Sequence, residues 1–219
     1  LQKVFAAHGG LELWQKMQSM SYEIVKPEGN EQQFIQLKDR REKIKAPQFA
    51  TGFDGTNIWL EADTSYKGNP VFYHNLFFYF YAMPFVLADE GILYNEAAPL
   101  EFEGQRYPGM RISYEAEIGH SPEDEYFIHY DPKSYEMTWL GYTVTFYSKE
   151  KSKKIKWIRY DDWKKINDLL LPNSITWYNM EGDSLTSARN TVNFAEIKVS
   201  EEAYEDGFFS KPPSAEIVE

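Results

Sequence analysis

Apolar residues that alternate with polar ones over short runs, repeated along most of the chain, constrain its fold more than any other feature. Tyr22 and Ile24, Ile35 and Leu37, and Ile58 and Leu60 come first; Met110, Ile112, Tyr114, Ala116 and Ile118 follow, then Tyr126, Ile128 and Tyr130, then Tyr142, Val144 and Phe146. Successive strand side chains point to opposite faces, so each run reads as a strand with one buried face. Pro27 to Asn30, Ala46 to Pro47 and Asp54 to Gly55 punctuate these runs, and Asp-Gly is a strong hairpin signal. An aromatic share of 17% strengthens the β reading, because aromatic rings suit a half-buried pleated surface. Near the end, Val192 and Phe194 keep one phase while Ala195, Ile197 and Val199 keep the other, which predicts a bulge.

Two stretches break the pattern. Val4, Leu11, Trp14 and Met17 fall roughly on one helical face, predicting a helix to about Met20 that is interrupted at Gly9 and Gly10. Val71 to Asp89 projects as a helix with two greasy faces: Phe72, Leu76, Tyr79, Phe80, Met83 and Leu87 on one, His74, Phe78, Tyr81, Phe85 and Ala88 on the other. Pro84 predicts a kink or a second start near Met83. A helix across a sheet buries only one face directly against it, so the other meets further core or lines a cavity. The predicted class is α+β, mostly antiparallel β. No long Pro, Gly or Ser linker divides the chain, so residues 1–219 are expected to form a single domain.

Charge and composition exclude several functions. A formal net charge of -11 repels phosphate backbones, so no nucleic-acid partner is expected. The basic run from Lys149 to Arg159 is interleaved with Ile155, Trp157 and Ile158 and reads as a solvated strand face. With Cys 0, disulfides, thiolate metal sites and a cysteine nucleophile are excluded. Leu76 to Ala88 is shorter than the ~20 residues a spanning helix needs and contains Pro84, so no transmembrane helix is expected. Leu1 opens directly into an amphipathic segment, as expected where a leader, or a lipid-bearing cysteine with its linker, precedes it.

Catalytic patterns are weak. His8-Gly9-Gly10 is akin to an esterase oxyanion loop, but no Gly-x-Ser-x-Gly elbow accompanies it. A metal reading would recruit His120, Asp124, His129 and Asp131, whose spacing is not diagnostic. Among 34 acidic residues, carboxylate pairs are inevitable and none stands out. No catalytic residue, metal or cofactor is expected.

The leading helix with His8-Gly9-Gly10 and Trp14, the hairpin Gly52-Phe53-Asp54-Gly55 running to Trp59, and a helical insertion after the early strands resemble the LolA/LolB-type periplasmic lipoprotein carriers of Gram-negative bacteria. Phe72-Tyr73-His74-Asn75, Ala82-Met83-Pro84-Phe85-Val86-Leu87-Ala88-Asp89 and Ser121-Pro122-Glu123-Asp124-Glu125-Tyr126 resemble an uncharacterised outer-membrane lipoprotein-like envelope family with that fold. The resemblance implies an open half-barrel with helices packed on the concave face, a periplasmic or outer-membrane-associated location, and an apolar cavity for acyl chains. On this reading the cavity is lined by Trp59, His74, Phe78, Tyr81, Phe85 and Tyr126, with His74 and Tyr126 supplying polar contacts, and the partner is a lipid or a lipidated protein. The alternative is glycan or protein recognition, without catalysis, by exposed Trp139, Trp157, Trp163 and Trp177.

Overall fold

The structure is a computed structural model that describes residues 1–64, 66–89, 91–114, 124–146, 148, 152–182 and 184–218. Two short helices open the chain, α1 (Gln2–Ala7) and α2 (Leu11–Lys16). Gly9 and Gly10 separate them at φ 105° and 91°, and the Gly10 amide donates to the Phe5 carbonyl at 2.8 Å. A Cβ on Gly10 would meet nothing within 4 Å, so the left-handed backbone of a helix end, not crowding, requires glycine here. The helical stretch ends at Lys16 and not at Met20, because Gln18 N–H is already paired with the Ser200 carbonyl at 2.7 Å.

Five strands follow: β1 (Ser19–Ile24), β2 (Glu31–Gln36), β3 (Glu42–Ala46), β4 (Phe49–Phe53) and β5 (Ile58–Ala62). The insertion comprises α3 (Pro70–Tyr73), α4 (Leu76–Tyr81) and a 3-10 turn (Phe85–Ala88). Then come β6 (Ile92–Phe102), β7 (Gln105–Tyr114), β8 (Tyr126–Tyr130), β9 (Met137–Tyr142), β10 (Lys156–Ile166), β11 (Leu169–Glu181), β12 (Ser184–Ser200) and β13 (Glu216–Val218). The hydrogen-bonded order is β13-β5-β4-β3-β2-β1-β12-β11-β10-β9-β8-β7-β6, so the ladder is open, with ends at β13 and β6. Among the described residues no helix is long and apolar enough to cross a membrane.

Contacts group the chain into two compact units, each assembled from three stretches of sequence. One takes residues 12–82, 165–169 and 193–219. In it the hairpin turn between β4 and β5 is closed by Asp54, whose Oδ1 accepts the Thr56 and Asn57 amides at 2.9 and 2.8 Å. Ser21 pairs with Lys198 but Glu23 with Ala195, and Glu196 has φ 49°: β12 bulges where the apolar phase changes in the sequence. Met20, Tyr22, Ile24, Ile35 and Ile44 form the buried phase of β1 to β3.

The other unit takes residues 1–11, 83–164 and 170–192. Ile112, Ile128, Leu140 and Ile158 lie on one face of its strands and are fully buried. On the opposite face Trp139 and Trp157 pack with Phe102 and Tyr107, a second small core covered by Leu100, Phe127 and Tyr178. The strand expected over Tyr142 to Phe146 stops at Tyr142. There the Thr143 hydroxyl takes the Glu125 amide at 2.9 Å and reaches Asp124, so a side chain ends the ladder. Ala116 and Ile118 of the alternating run that begins at Met110, Ser121 to Glu123, and Lys149 to Lys151 of the basic run lie outside the described residues.

Candidate functional site

The insertion is not one helix kinked at Pro84. Asn69 caps α3 by accepting the Phe72 amide at 3.1 Å, Pro70 occupies its first turn, and the helix ends after a single turn. The break falls at His74-Asn75, where Asn75 is left-handed with φ 56°. Its cause is a buried carboxylate: Glu42 Oε2, from β3, accepts both the Asn75 amide at 2.9 Å and the His74 Nδ1–H at 3.1 Å. Asn75 Nδ2 donates to His74 Nε2 at 2.9 Å, which makes Nε2 an acceptor and leaves the ring proton on Nδ1, facing Glu42. From this latch α4 runs Leu76-Phe77-Phe78-Tyr79-Phe80-Tyr81, burying Phe78, Phe80 and Tyr81 while Tyr79 stays exposed.

Beneath these helices lies a polar belt in the buried phase of β1 to β3. Glu31, fully buried, accepts the Tyr73 hydroxyl at 2.7 Å and the Gln33 amide at 2.8 Å on Oε1, and Lys26 Nζ at 2.6 Å on Oε2. Gln33 in turn accepts the Tyr22 hydroxyl at 2.7 Å. Tyr22 stacks on Tyr81 with ring centroids 4.2 Å apart, and Phe194 meets Tyr81 edge-on at 4.6 Å. Burial raises the Tyr22 phenol well above its ordinary pKa, and Glu42, Tyr81, Tyr73 and Glu31 add to the rise, so these groups share one neighbourhood. Burial, then Glu31, raises Tyr73 likewise, and burial alone raises Tyr81. Three buried atoms of the belt make no hydrogen bond: the Tyr81 hydroxyl, Glu42 Oε1 and Asn75 Oδ1.

Of the six residues expected to line a cavity, the structure brings His74, Phe78 and Tyr81 onto this cover over β1 to β3. Trp59 points the other way. Phe34, Lys43, Gly52 and Trp59 are neighbours across the ladder and share a face. That face meets the C-terminal segment, where Trp59 Nε1 donates to the Phe209 carbonyl at 3.0 Å and Lys43 Nζ to Phe208 at 3.2 Å. A cleft of about 420 Å³ opens there, lined by Lys43, Lys45, Pro47, Phe49, Glu61 and Pro212, with fully buried Trp59 as its floor. Its mixed charges do not suit an acyl chain. Phe85 and Tyr126 belong to the other unit: Phe85 is buried in the 3-10 turn with its ring 6.4 Å from His8, and Tyr126 is half-buried on the face of Ile128.

Glu31, Glu42, Tyr22, Tyr73 and Asn75 were not anticipated. A signal for the two carboxylates exists, since Glu31, Gln33 and Ile35 share one phase of β2 and Glu42 and Ile44 share one phase of β3. A charge in an apolar phase marks a carboxylate with buried partners.

His8 is fully buried, its Nδ1 2.8 Å from the Val4 carbonyl and its ring 4.6 Å from Trp163, so His8-Gly9-Gly10 is a helix end with no oxyanion loop. His129 is buried against the Tyr107 carbonyl, Asp131 caps a turn through the Lys133 and Ser134 amides, and His120 lies outside the described residues. Recognition by an exposed tryptophan row is corrected: Trp139, Trp157 and Trp177 are buried and Trp163 is half-buried. The first two rings complete the small aromatic core, and Trp177 Nε1 donates to the Tyr142 hydroxyl at 2.9 Å.

The chain is similar to several solved structures. A LolA superfamily protein from Nitrosomonas europaea superposes with a TM-score of 0.56 at 10% identity, over 96% of this chain and 97% of that one. A DUF1329 family protein from Desulfovibrio piger gives 0.49 at 9% identity over 95% of each chain. An outer membrane lipoprotein-sorting protein domain from Vibrio parahaemolyticus gives 0.38 at 11% identity, over 93% and 97%. No curated protein matches the sequence. The fold is LolA-like, α+β and mostly antiparallel, with an open sheet. One protein-family model, described as a family of unknown function, matches residues 65–192.

Proposed function

This chain belongs to DUF6503, a family of unknown function, and from that premise we propose that it binds an amphiphile beneath the α3–α4 cover and catalyses no reaction. The ligand would be a lipid, an acyl chain, or the acyl part of a lipidated protein. A location in the periplasm or at the outer membrane belongs to the same proposal.

One observation carries it: a six-residue helix of apolar and aromatic residues is held by a few polar latches over a buried strand face that mixes apolar side chains with a polar belt. A helix of this length does not persist by itself in water, because nucleation is unfavourable and there are too few propagating bonds to offset it. Its order depends on contacts with β1 to β3, and elements of that kind open at low cost relative to a core strand. Lifting it would uncover Tyr22, on which Tyr81 stacks. An acyl chain entering there gains roughly 0.8 kcal/mol for each buried methylene, which works against the loss of the cover's own packing. The LolA-like fold supports this reading by architecture alone.

A titration with N-phenylnaphthylamine, a neutral dye that brightens in apolar surroundings, tests the proposal. Saturable brightening that dodecanol reverses is expected. Emission that never saturates, or that dodecanol leaves unchanged, contradicts it.

A further inference from the structure

We propose that the polar end of the ligand is a hydrogen-bond donor, a hydroxyl or an amine, received by Glu42 Oε1 and Asn75 Oδ1 at the α3–α4 junction. The inference rests on the amphiphile reading above and adds the chemistry of the ligand's head.

Donors and acceptors at the junction do not balance. Glu42 is 1% exposed and Asn75 5%. Glu42 Oε2 already receives two donors, His74 Nδ1–H and the Asn75 amide, while Oε1 receives none. Asn75 commits its Nδ2 to His74 Nε2 at 2.9 Å and to the Arg40 carbonyl at 3.4 Å, leaving Oδ1 bare. Turning the amide over would set Oδ1 3.4 Å from the Arg40 carbonyl, two acceptors facing each other, which favours the orientation that leaves Oδ1 bare. The two belt hydroxyls nearest the junction are committed elsewhere, Tyr73 to Glu31 and Tyr22 to Gln33. An acceptor buried without a donor is destabilising, and a carboxylate oxygen more so than an amide oxygen. A head group carrying N–H or O–H donors removes that cost on binding; a carboxylate head brings only lone pairs and a like charge to Glu42. The Tyr81 hydroxyl, also unpartnered, lies at the far end of α4 and can serve a second polar atom.

Three twelve-carbon chains separate the outcomes: dodecylamine, dodecanol and dodecanoate, each competing with N-phenylnaphthylamine at about pH 8, where the amine is charged and the acid ionised. The expected result is that the amine and the alcohol displace the dye at least about tenfold more tightly than dodecanoate, and that Glu42→Gln reduces this preference to within about twofold. Dodecanoate binding as tightly as the others overturns the donor assignment while the amphiphile reading stands; water alone would satisfy the two acceptors in that case. A donor preference that survives in a folded Glu42→Gln variant overturns the placement at Glu42. Failure of all three chains to displace the dye overturns the amphiphile reading, and this inference with it. Where Glu42→Gln does not fold, the ranking in the unmodified chain still decides whether the head is a donor.

Discussion

The Tyr81 hydroxyl has left water without finding a partner, although its ring stacks on Tyr22 and meets Phe194. An unpaired buried hydroxyl costs about 1 to 3 kcal/mol, whereas the ring's packing is unaffected by its removal. Tyr81→Phe is therefore expected to leave stability unchanged or raise it by about 1 kcal/mol in urea titrations; a loss of more than about 1 kcal/mol would mean that the hydroxyl has a partner in solution. Gly52 makes the opposite point. A Cβ there would lie 2.5 Å from the Glu42 carbonyl and 2.6 Å from Trp59 Cζ2. Backbone cannot retreat as a flexible side chain can, so Gly52→Ala is expected to cost about 1 to 3 kcal/mol by the same measurement. The sequence motif from Gly52 to Trp59 is thus explained by packing on the face away from α4. Nothing in its composition distinguishes that face from a cavity wall, since one residue of register moves a side chain across the sheet.

At the level of elements, the α3–α4 cover and the strands it covers should differ in how readily they open. Amide hydrogen exchange is expected to be fast at Tyr79 and Ala82, whose N–H groups bond to the Asn75 and Phe78 carbonyls along the short helix, and slow along the β1–β2 ladder. Saturating dodecanol should slow the α4 amides; equal protection of helix and ladder without ligand would contradict an opening cover. A strand with one clean apolar phase, such as β1, could be read from alternation alone, and so could the β12 bulge and the hairpin at Asp54-Gly55. The division of Val71 to Asp89 could not. A helical projection finds Pro84 because proline breaks helices through its own chemistry, but the break at His74-Asn75 is imposed by Glu42, thirty-odd residues away, through bonds that no local pattern encodes. His74, Phe78 and Tyr81 emerged as cavity candidates from their shared helical face; Tyr73 and Asn75 did not, because their roles lie in partners on β2 and β3.

Across the whole molecule, two buried histidines set the acid limit. Burial lowers both His8 and His129 from 6.5 to about 4. The unfolded chain therefore takes up these protons first as pH falls: stability is full above about 6.5, declines between there and about 4, and loses at most about 3 kcal/mol per histidine. His129→Gln should flatten that decline in urea titrations between pH 7 and pH 5, and an unchanged slope would assign it to other groups. We propose that residues 1–219 act as one domain, since each compact unit draws on three separated stretches and neither can be cut out as a continuous segment. A single cooperative transition, coincident by tryptophan fluorescence and far-ultraviolet circular dichroism, is expected; two resolved transitions would count against it. Native mass spectrometry of protein purified from a cell envelope fraction, followed by denaturing extraction, tests amphiphile binding most directly. The account predicts a stoichiometric adduct that extraction identifies as an amphiphile with a hydroxyl or amine head, and protein that is repeatedly empty and takes up none of the offered chains would contradict it.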